Sequence, residues 1–409
     1  MKIKVFLILL LLTCPKMWSQ DTQLDTRVNP DIDTVGLSAS TIVYPKYINL
    51  SANHIKMNGA DWGKLSEALK NARSQRVNIV HIGDSHEQAD MGTSVVRRRL
   101  GSDYGSAGRG LTVPFKLAGS NQPTDYSITS SSPMKQSRLM KTPWPTPMGF
   151  TGIGVQPTDS AFSFNLEASQ PFDSVTVYFT GKMLIDSLEI ENSYGLRLPS
   201  STLSTTLNFR GIDQPTIHGF NLLSDSIGLA YHVIGNNGTT YSTYSELPNF
   251  IDGLAALDPQ LIILSSGTNE AFNRLSEQKM LLSLQTLIAD LRRRFPEAQL
   301  LLTTPSESQR KTTRRRGRKR RRRVSYQVNT NVKRMRDVIV NFGETEGIPV
   351  YDFYEVAGGA GSSSKWLKDK YLNKDHIHLT LAGYRLQGNL FADALEEVFN
   401  SVSQKTTDL

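Results

Sequence analysis

Cysteine is almost missing from this chain: of 409 residues only Cys14 carries a thiol. Once an N-terminal export segment is removed no cysteine remains, which excludes a disulfide framework and a thiol nucleophile. Histidine is also scarce. Its seven copies are scattered, and no His/Cys/Asp grouping has the spacing of metal ligands, so neither a metal nor another cofactor is expected. Long hydrophobic runs are missing too. The apolar stretch 5–12 is too short to span a bilayer as a mature helix, and no later segment is long and apolar enough. Acidic residues are missing from 310–323, where eleven Lys or Arg stand together. Without those eleven, the remaining 35 basic residues fall three short of the 38 acidic ones. The net charge of +8 is therefore one local run and not a basic fold.

The N-terminus is informative by what it holds. Lys2 and Lys4 precede the apolar run, and Pro15 and small or polar residues follow it to Ser19 and Gln20. This pattern predicts a secretory signal peptide over 1–20, hence a secreted, periplasmic protein. Lipid anchoring through Cys14 is the weaker alternative, because Thr13 fits poorly before a lipidated cysteine. Residues 21–56 form a leader segment, polar and without helical period as far as residue 45.

Beyond it, two textures alternate. Asp61 is placed to cap a helix over 62–74, and the apolar run 77–82 ends at Gly83, as a buried parallel strand would. A helix over 86–100 follows, which sets Ser85 at the carboxyl edge of the sheet, where open α/β sheets bind their ligands. Residues 113–227 are rich in Ser, Thr, Pro and Gly, with short strand-like runs (161–166, 175–179, 187–190, 203–209, 216–222) and no amphipathic helix. They predict an inserted all-β sandwich. Strands over 229–234, 261–264, 300–303 and 350–354 then alternate with helices over 250–257, 280–295, 326–342 and 380–400. The expected fold class is α/β: a doubly wound parallel sheet, built from 57–112 and 228–409, with the all-β sandwich domain inserted between.

Four separated segments carry chemistry. Gly83-Asp84-Ser85-His86 offers a serine nucleophile, with Gly83 allowing a tight turn and the Ser85 N–H facing a developing oxyanion. The plainer reading is that Asp84 or Ser85 only caps the helix. Asp375-x-x-His378 offers the base, the carboxylate setting the tautomer and steadying the imidazolium. His376 is the competitor, ranked lower because neighbouring side chains diverge. Asn236-Asn237-Gly238-Thr239 and Gly267-Thr268-Asn269-Glu270 would complete an oxyanion hole, through the Gly238 N–H and the Asn269 amide. Each pattern alone is also an ordinary turn. Asp90 and His86 are read as supporting or surface residues.

As an ordered set these segments resemble the four blocks of the SGNH/GDSL hydrolase superfamily, over about 57–112 and 228–400. The resemblance implies Ser85, Asp375 and His378 as catalytic residues and Ser85, Gly238 and Asn269 as the oxyanion hole. Two departures stand out: Gly-Asp-Ser-His in the first block, and Glu270 after the block III asparagine. With the β-rich insertion and Asp375-His376-Ile377-His378-Leu379-Thr380, the pattern is similar to secreted bacterial peptidoglycan O-acetylesterases, whose inserted sandwich resembles a carbohydrate-binding module. That similarity implies an O-acetylated glycan as substrate. The residues alone support only an ester, outside the cytoplasm. An O-acetyltransferase of the same fold and a non-catalytic envelope-binding protein are the rival readings.

The run 310–323 is expected to be a solvated loop; the sharper reading is a tether to an anionic envelope polymer. No nucleic acid is expected, because no recognition module accompanies the charge. Trp144 and Trp366 are candidates for stacking on sugar rings, with burial in a core as the commoner fate.

Overall fold

The computed structural model describes residues 43–225, 227–316 and 321–405. The expected signal peptide, Cys14 and most of the leader lie outside the described residues. Six strands make the central sheet, in the order Ile55–Lys56, Val350–Tyr351, Gln299–Thr303, Leu261–Ser265, Arg76–Gly83, Gly228–Gly235. Five run parallel and only Ile55–Lys56 is antiparallel to its neighbour.

The side chains explain why this sheet is covered on both faces. Val77 and Ile79 join one buried cluster while Val80 and Ile82 join another, and Leu261/Ile263 and Ile262/Leu264 divide in the same way. A strand with apolar residues at consecutive positions presents them alternately to two faces, so both need cover. Leu65, Leu69, Val96, Leu100, Leu390 and Leu395 cover one face, from the helices Gly63–Lys70, Thr93–Tyr104 and Leu381–Lys405. Leu284, Leu287, Leu291, Met335 and Ile339 cover the other, from Glu277–Arg294 and Asn331–Glu346. The sheet is doubly wound, as expected.

Arg76–Gly83 lies between Gly228–Gly235 and Leu261–Ser265, and Gly83 is in register with both Gly235 and Ser265. The crossover from Arg76–Gly83 thus leads to one side of it, and the next returns past it to the other. That is a topological switch point, where the loops beyond the carboxyl ends splay and leave a crevice.

Residues 110–223 contribute strands and no helix to a second, antiparallel sheet of seven strands. The all-β region expected between the two α/β parts is present, and its described strands form one continuous hydrogen-bonded sheet. The two runs expected over 161–166 and 175–179 belong to a single strand, Ala161–Ile185, paired with Leu188–Gly211. Its turn signals are absorbed as irregularities. Register shifts occur between Glu167 and Phe172, around Pro171, and between Tyr178 and Lys182, around Gly181. A bulge bends a strand without ending it. Bent in this way, the sheet brings Phe164 against Phe220, ring centroids 5.3 Å apart. Its core is continuous with one face of the central sheet, because Phe164, Phe220, Ile82 and Leu264 share one cluster.

Other expectations shift. The helix foreseen over 86–100 is two helices, Ser85–Gln88 and Thr93–Tyr104. Asp90 stands between them with φ 55°. Asp90 is buried and not a surface residue: its Oδ2 accepts from Arg97 Nη2 at 2.6 Å and from Arg109 Nη2 at 2.7 Å, both side chains also buried. Removing one member of such a network strands the charges of the others. Asp90→Ala is therefore expected to lower the unfolding free energy by about 3–5 kcal/mol. Urea denaturation measures this, and a loss under 1 kcal/mol would contradict it. Trp366 is buried, its Nε1 donating to Ala357 O at 2.9 Å, so it has no sugar-facing role; Trp144 is half-buried against the core. Apart from 317–320, which lie outside the described residues, the basic run is a β-ladder and not the expected loop: Gln309–Arg316 pairs antiparallel with Arg321–Val328. Tyr326 accordingly sits in a strand, and the helix expected from 326 begins at Asn331.

Candidate active site

Three loops converge beyond the carboxyl ends of the switch-point strands. The first follows Gly83. Asp84 caps the short helix Ser85–Gln88: its Oδ1 accepts from His86 N at 2.9 Å, while Glu87 Oε2 accepts from Asp84 N at 3.1 Å. This reciprocal cap holds Ser85 at the first turn. Gly83 is needed for room, since a Cβ there would lie 2.3 Å from Glu87 Oε2. The plainer reading of the motif, a helix cap, is thus true of Asp84, and Ser85 remains available.

Ser85 Oγ lies 2.8 Å from His378 Nε2, although the two are 293 residues apart. The Asp-x-x-His spacing has a local cause. Asp375 Oδ1 accepts from the backbone N–H of Ile377 at 2.9 Å and of His378 at 3.0 Å, which winds the loop tightly. Asp375 Oδ2 then meets His378 Nδ1 at 2.7 Å. The partners assign the tautomer: Nδ1–H donates to the carboxylate and Nε2 accepts from Ser85 O–H. Burial raises the Asp375 pKa. The hydrogen bond and charge of His378, with the two backbone N–H groups, more than offset this and hold it below the usual carboxylate range.

His376 takes another direction. With φ 65°, it stacks flat on Tyr326, centroids 3.6 Å apart, and its Nδ1 meets Gln309 Oε1 at 2.7 Å. It serves the basic hairpin and not Ser85. His86 packs 5.2 Å from the His378 ring, centroid to centroid, with Nδ1 3.0 Å from Tyr384 Oη.

The second and third loops carry the expected oxyanion donors. Gly238 has φ +87°, a conformation that favours glycine, and a Cβ there would sit 3.6 Å from Met140 of the second sheet's loops. Asn269 Nδ2 donates to Asp84 Oδ2 at 3.1 Å and to Thr239 O at 3.0 Å. The amide that would serve an oxyanion is therefore engaged one residue away from Ser85. Glu270 explains its place beside Asn269: its carboxylate accepts from Tyr241 N and Gly267 N, each at 2.9 Å, tying the two loops together. Burial raises the Glu270 pKa despite these donors, and burial also pushes Asp84 up to about 7.

Two supporting residues escaped the sequence reading. Gln88 Oε1 accepts from Asn237 N at 2.8 Å while its Nε2 donates to Asn121 O at 2.9 Å, so it joins the nucleophile helix, the Gly238 loop and the all-β region. No sequence pattern announces a lone glutamine of this kind. Glu87 did leave a signal, since Asp84-x-x-Glu87 is the spacing of a capping box. Among the described residues no group of three His, Cys, Asp or Glu could hold a metal, and no helix is long and apolar enough to cross a membrane.

Residues 213–386 match the model of the GDSL-like Lipase/Acylhydrolase family. The match takes in Gly238, Asn269, Asp375 and His378 and leaves Ser85 outside it. No curated protein matches the chain. Among solved structures, "Peptidoglycan O-acetylesterase in action, 5 min" is similar over 87% of this chain and 98% of its own, with TM-score 0.70 and 21% identity. The two share a fold. A lipase/acylhydrolase from Enterococcus faecalis is similar over 42% of this chain and 77% of its own (TM-score 0.30, 21% identity). An acetyl xylan esterase is similar over 41% and 81% (TM-score 0.31, 16% identity).

Proposed function

We propose that this chain is a serine esterase that removes O-acetyl groups from an envelope polysaccharide, with peptidoglycan as the glycan, after export from the cytoplasm. One observation carries the esterase reading: the unbroken chain of contacts from Ser85 Oγ through His378 to Asp375. In that geometry His378 Nε2 takes the Ser85 proton as Oγ attacks the acetyl carbonyl. The oxyanion is held by the N–H groups of Ser85 and Gly238 and by the Asn269 amide, which gives up an existing partner to do so. His378 returns the proton to the leaving sugar hydroxyl. Water, deprotonated by the same imidazole, then attacks the acetyl-serine; the Oγ–acyl bond breaks as His378 returns the proton to Ser85 Oγ, and acetate leaves. The choice of an acetylated wall glycan draws on the sequence pattern and on the named peptidoglycan O-acetylesterase whose fold this chain shares.

The test is acetate release from O-acetylated peptidoglycan, with chemically de-acetylated glycan as the blank. Release from the first alone is expected. Turnover of a small acetyl ester without release from the wall would overturn the choice of glycan. Acetyl groups appearing on an added oligosaccharide would make the chain a transferase instead.

A further inference from the structure

The basic hairpin is rooted in the loops that carry the proposed chemistry. Gln309 N donates to His376 O at 2.9 Å, and Tyr326, on the opposite strand, stacks on the His376 ring. Arg310 donates to Phe272 O and lies over the Phe272 ring, at the end of the helix that bears Asn269. The base of the hairpin thus grips both the Asp375–His378 loop and the Asn269 helix.

Its ladder is unusual in charge. Eight Lys or Arg occupy Gln309–Arg316 and Arg321–Val328, and neither strand holds an acidic residue. The register sets Arg314 opposite Arg323, Arg315 opposite Arg322 and Arg316 opposite Arg321. Sequence and backbone register thus gather six arginines on paired positions with no acid in either strand, and so dense a run of one sign attracts anionic polymers. Guanidinium groups bind carboxylate or phosphate bidentately. Eight residues of strand extend roughly 25 Å, enough to hold several repeats of a linear polymer.

We infer that this hairpin is a docking arm for an acidic polysaccharide, which it holds beside the Ser85–His378 pair while the polymer's own ester is cleaved. This rests on the esterase reading. The choice of polysaccharide follows from the anchoring: a chain held by the arm lies against the loops of the reacting groups, and an acidic glycan brings repeated anions and an acylated hydroxyl on one linear polymer.

The experiment compares the native chain with a variant carrying Arg→Gln at 314, 315, 316, 321, 322 and 323. The substrates are an O-acetylated linear polyuronate, the same polymer with its carboxylates reduced to alcohols, and 4-nitrophenyl acetate. The variant is expected to lose at least about tenfold in kcat/KM on the charged polymer, through KM, with the other two substrates unaffected; raising NaCl from 50 to 300 mM should erase the native advantage. Equal kcat/KM for both proteins on the charged polymer overturns the arm. Binding of fluorescently labelled, de-acetylated polyuronate is followed separately, so the arm is decided even if no ester is cleaved and the esterase reading fails. Anionic vesicles or duplex DNA displacing that polymer at equal or lower charge concentration overturn the choice of partner. Should the six-fold variant fail to fold, Arg315→Gln with Arg322→Gln is expected to weaken polyuronate binding at least about threefold, and unchanged binding again overturns the arm.

Discussion

Ser85→Ala is expected to lower turnover of 4-nitrophenyl acetate by roughly 10³–10⁶-fold. The removed oxygen is the atom that would form the acyl bond, and its partner is His378 Nε2 at 2.8 Å. What survives would be hydrolysis by water in a site that still binds and polarises the ester. The fold should hardly change. One hydrogen bond of about 0.5–1.5 kcal/mol is lost, and Asp84 and Glu87 still cap the helix. The check is steady-state turnover beside a thermal melt. A variant that melts like the native chain and keeps more than a tenth of its activity would remove Ser85 as the nucleophile.

Asp375→Asn should cost about 10⁴-fold in kcat. The asparagine oxygen can still accept from Ile377 N and His378 N, so the loop stays wound. The amide nitrogen then faces His378 Nδ1 and favours the tautomer that carries its proton on Nε2, where it cannot take one from Ser85. Stability carries the same interaction with a definite pH dependence. The folded Asp375 pKa is depressed, so its contribution is present above the unfolded carboxylate pKa and is lost as pH falls through the folded value. The stability gap between the native chain and Asp375→Asn should therefore be widest near neutrality and narrow in acid, as urea midpoints at several pH values would show. A gap that widens in acid would mean that the carboxylate is not held ionised by His378.

Reading from residues alone reached far where the cause is local. The apolar runs at 77–82 and 261–264 announce two-faced burial because consecutive apolar residues leave no other stable arrangement. Asp375-x-x-His378 announces itself because its spacing is closed by an Asx turn within the same four residues. Reading failed where neighbours decide. Pro171 and Gly181 look like strand ends and are irregularities inside one strand, because the neighbouring strand Leu188–Gly211 pairs with it before and after each of them. The run 310–323 looks like a solvated loop, yet its ends at Gln309 and Tyr326 are held by His376. Asp90 looks ordinary until Arg97 and Arg109 close on it from a helix and a loop.

The chain's order of residues determined the class of sheet and the residue types of the candidate site, since these follow from side-chain character and short-range spacing. Only the folded molecule decided which histidine faces Ser85, that Gln88 ties the nucleophile helix to the all-β region, and where the basic run stands. Those depend on segments up to hundreds of residues apart, brought within 3 Å by packing on both faces of one sheet. No spacing along the chain encodes that distance.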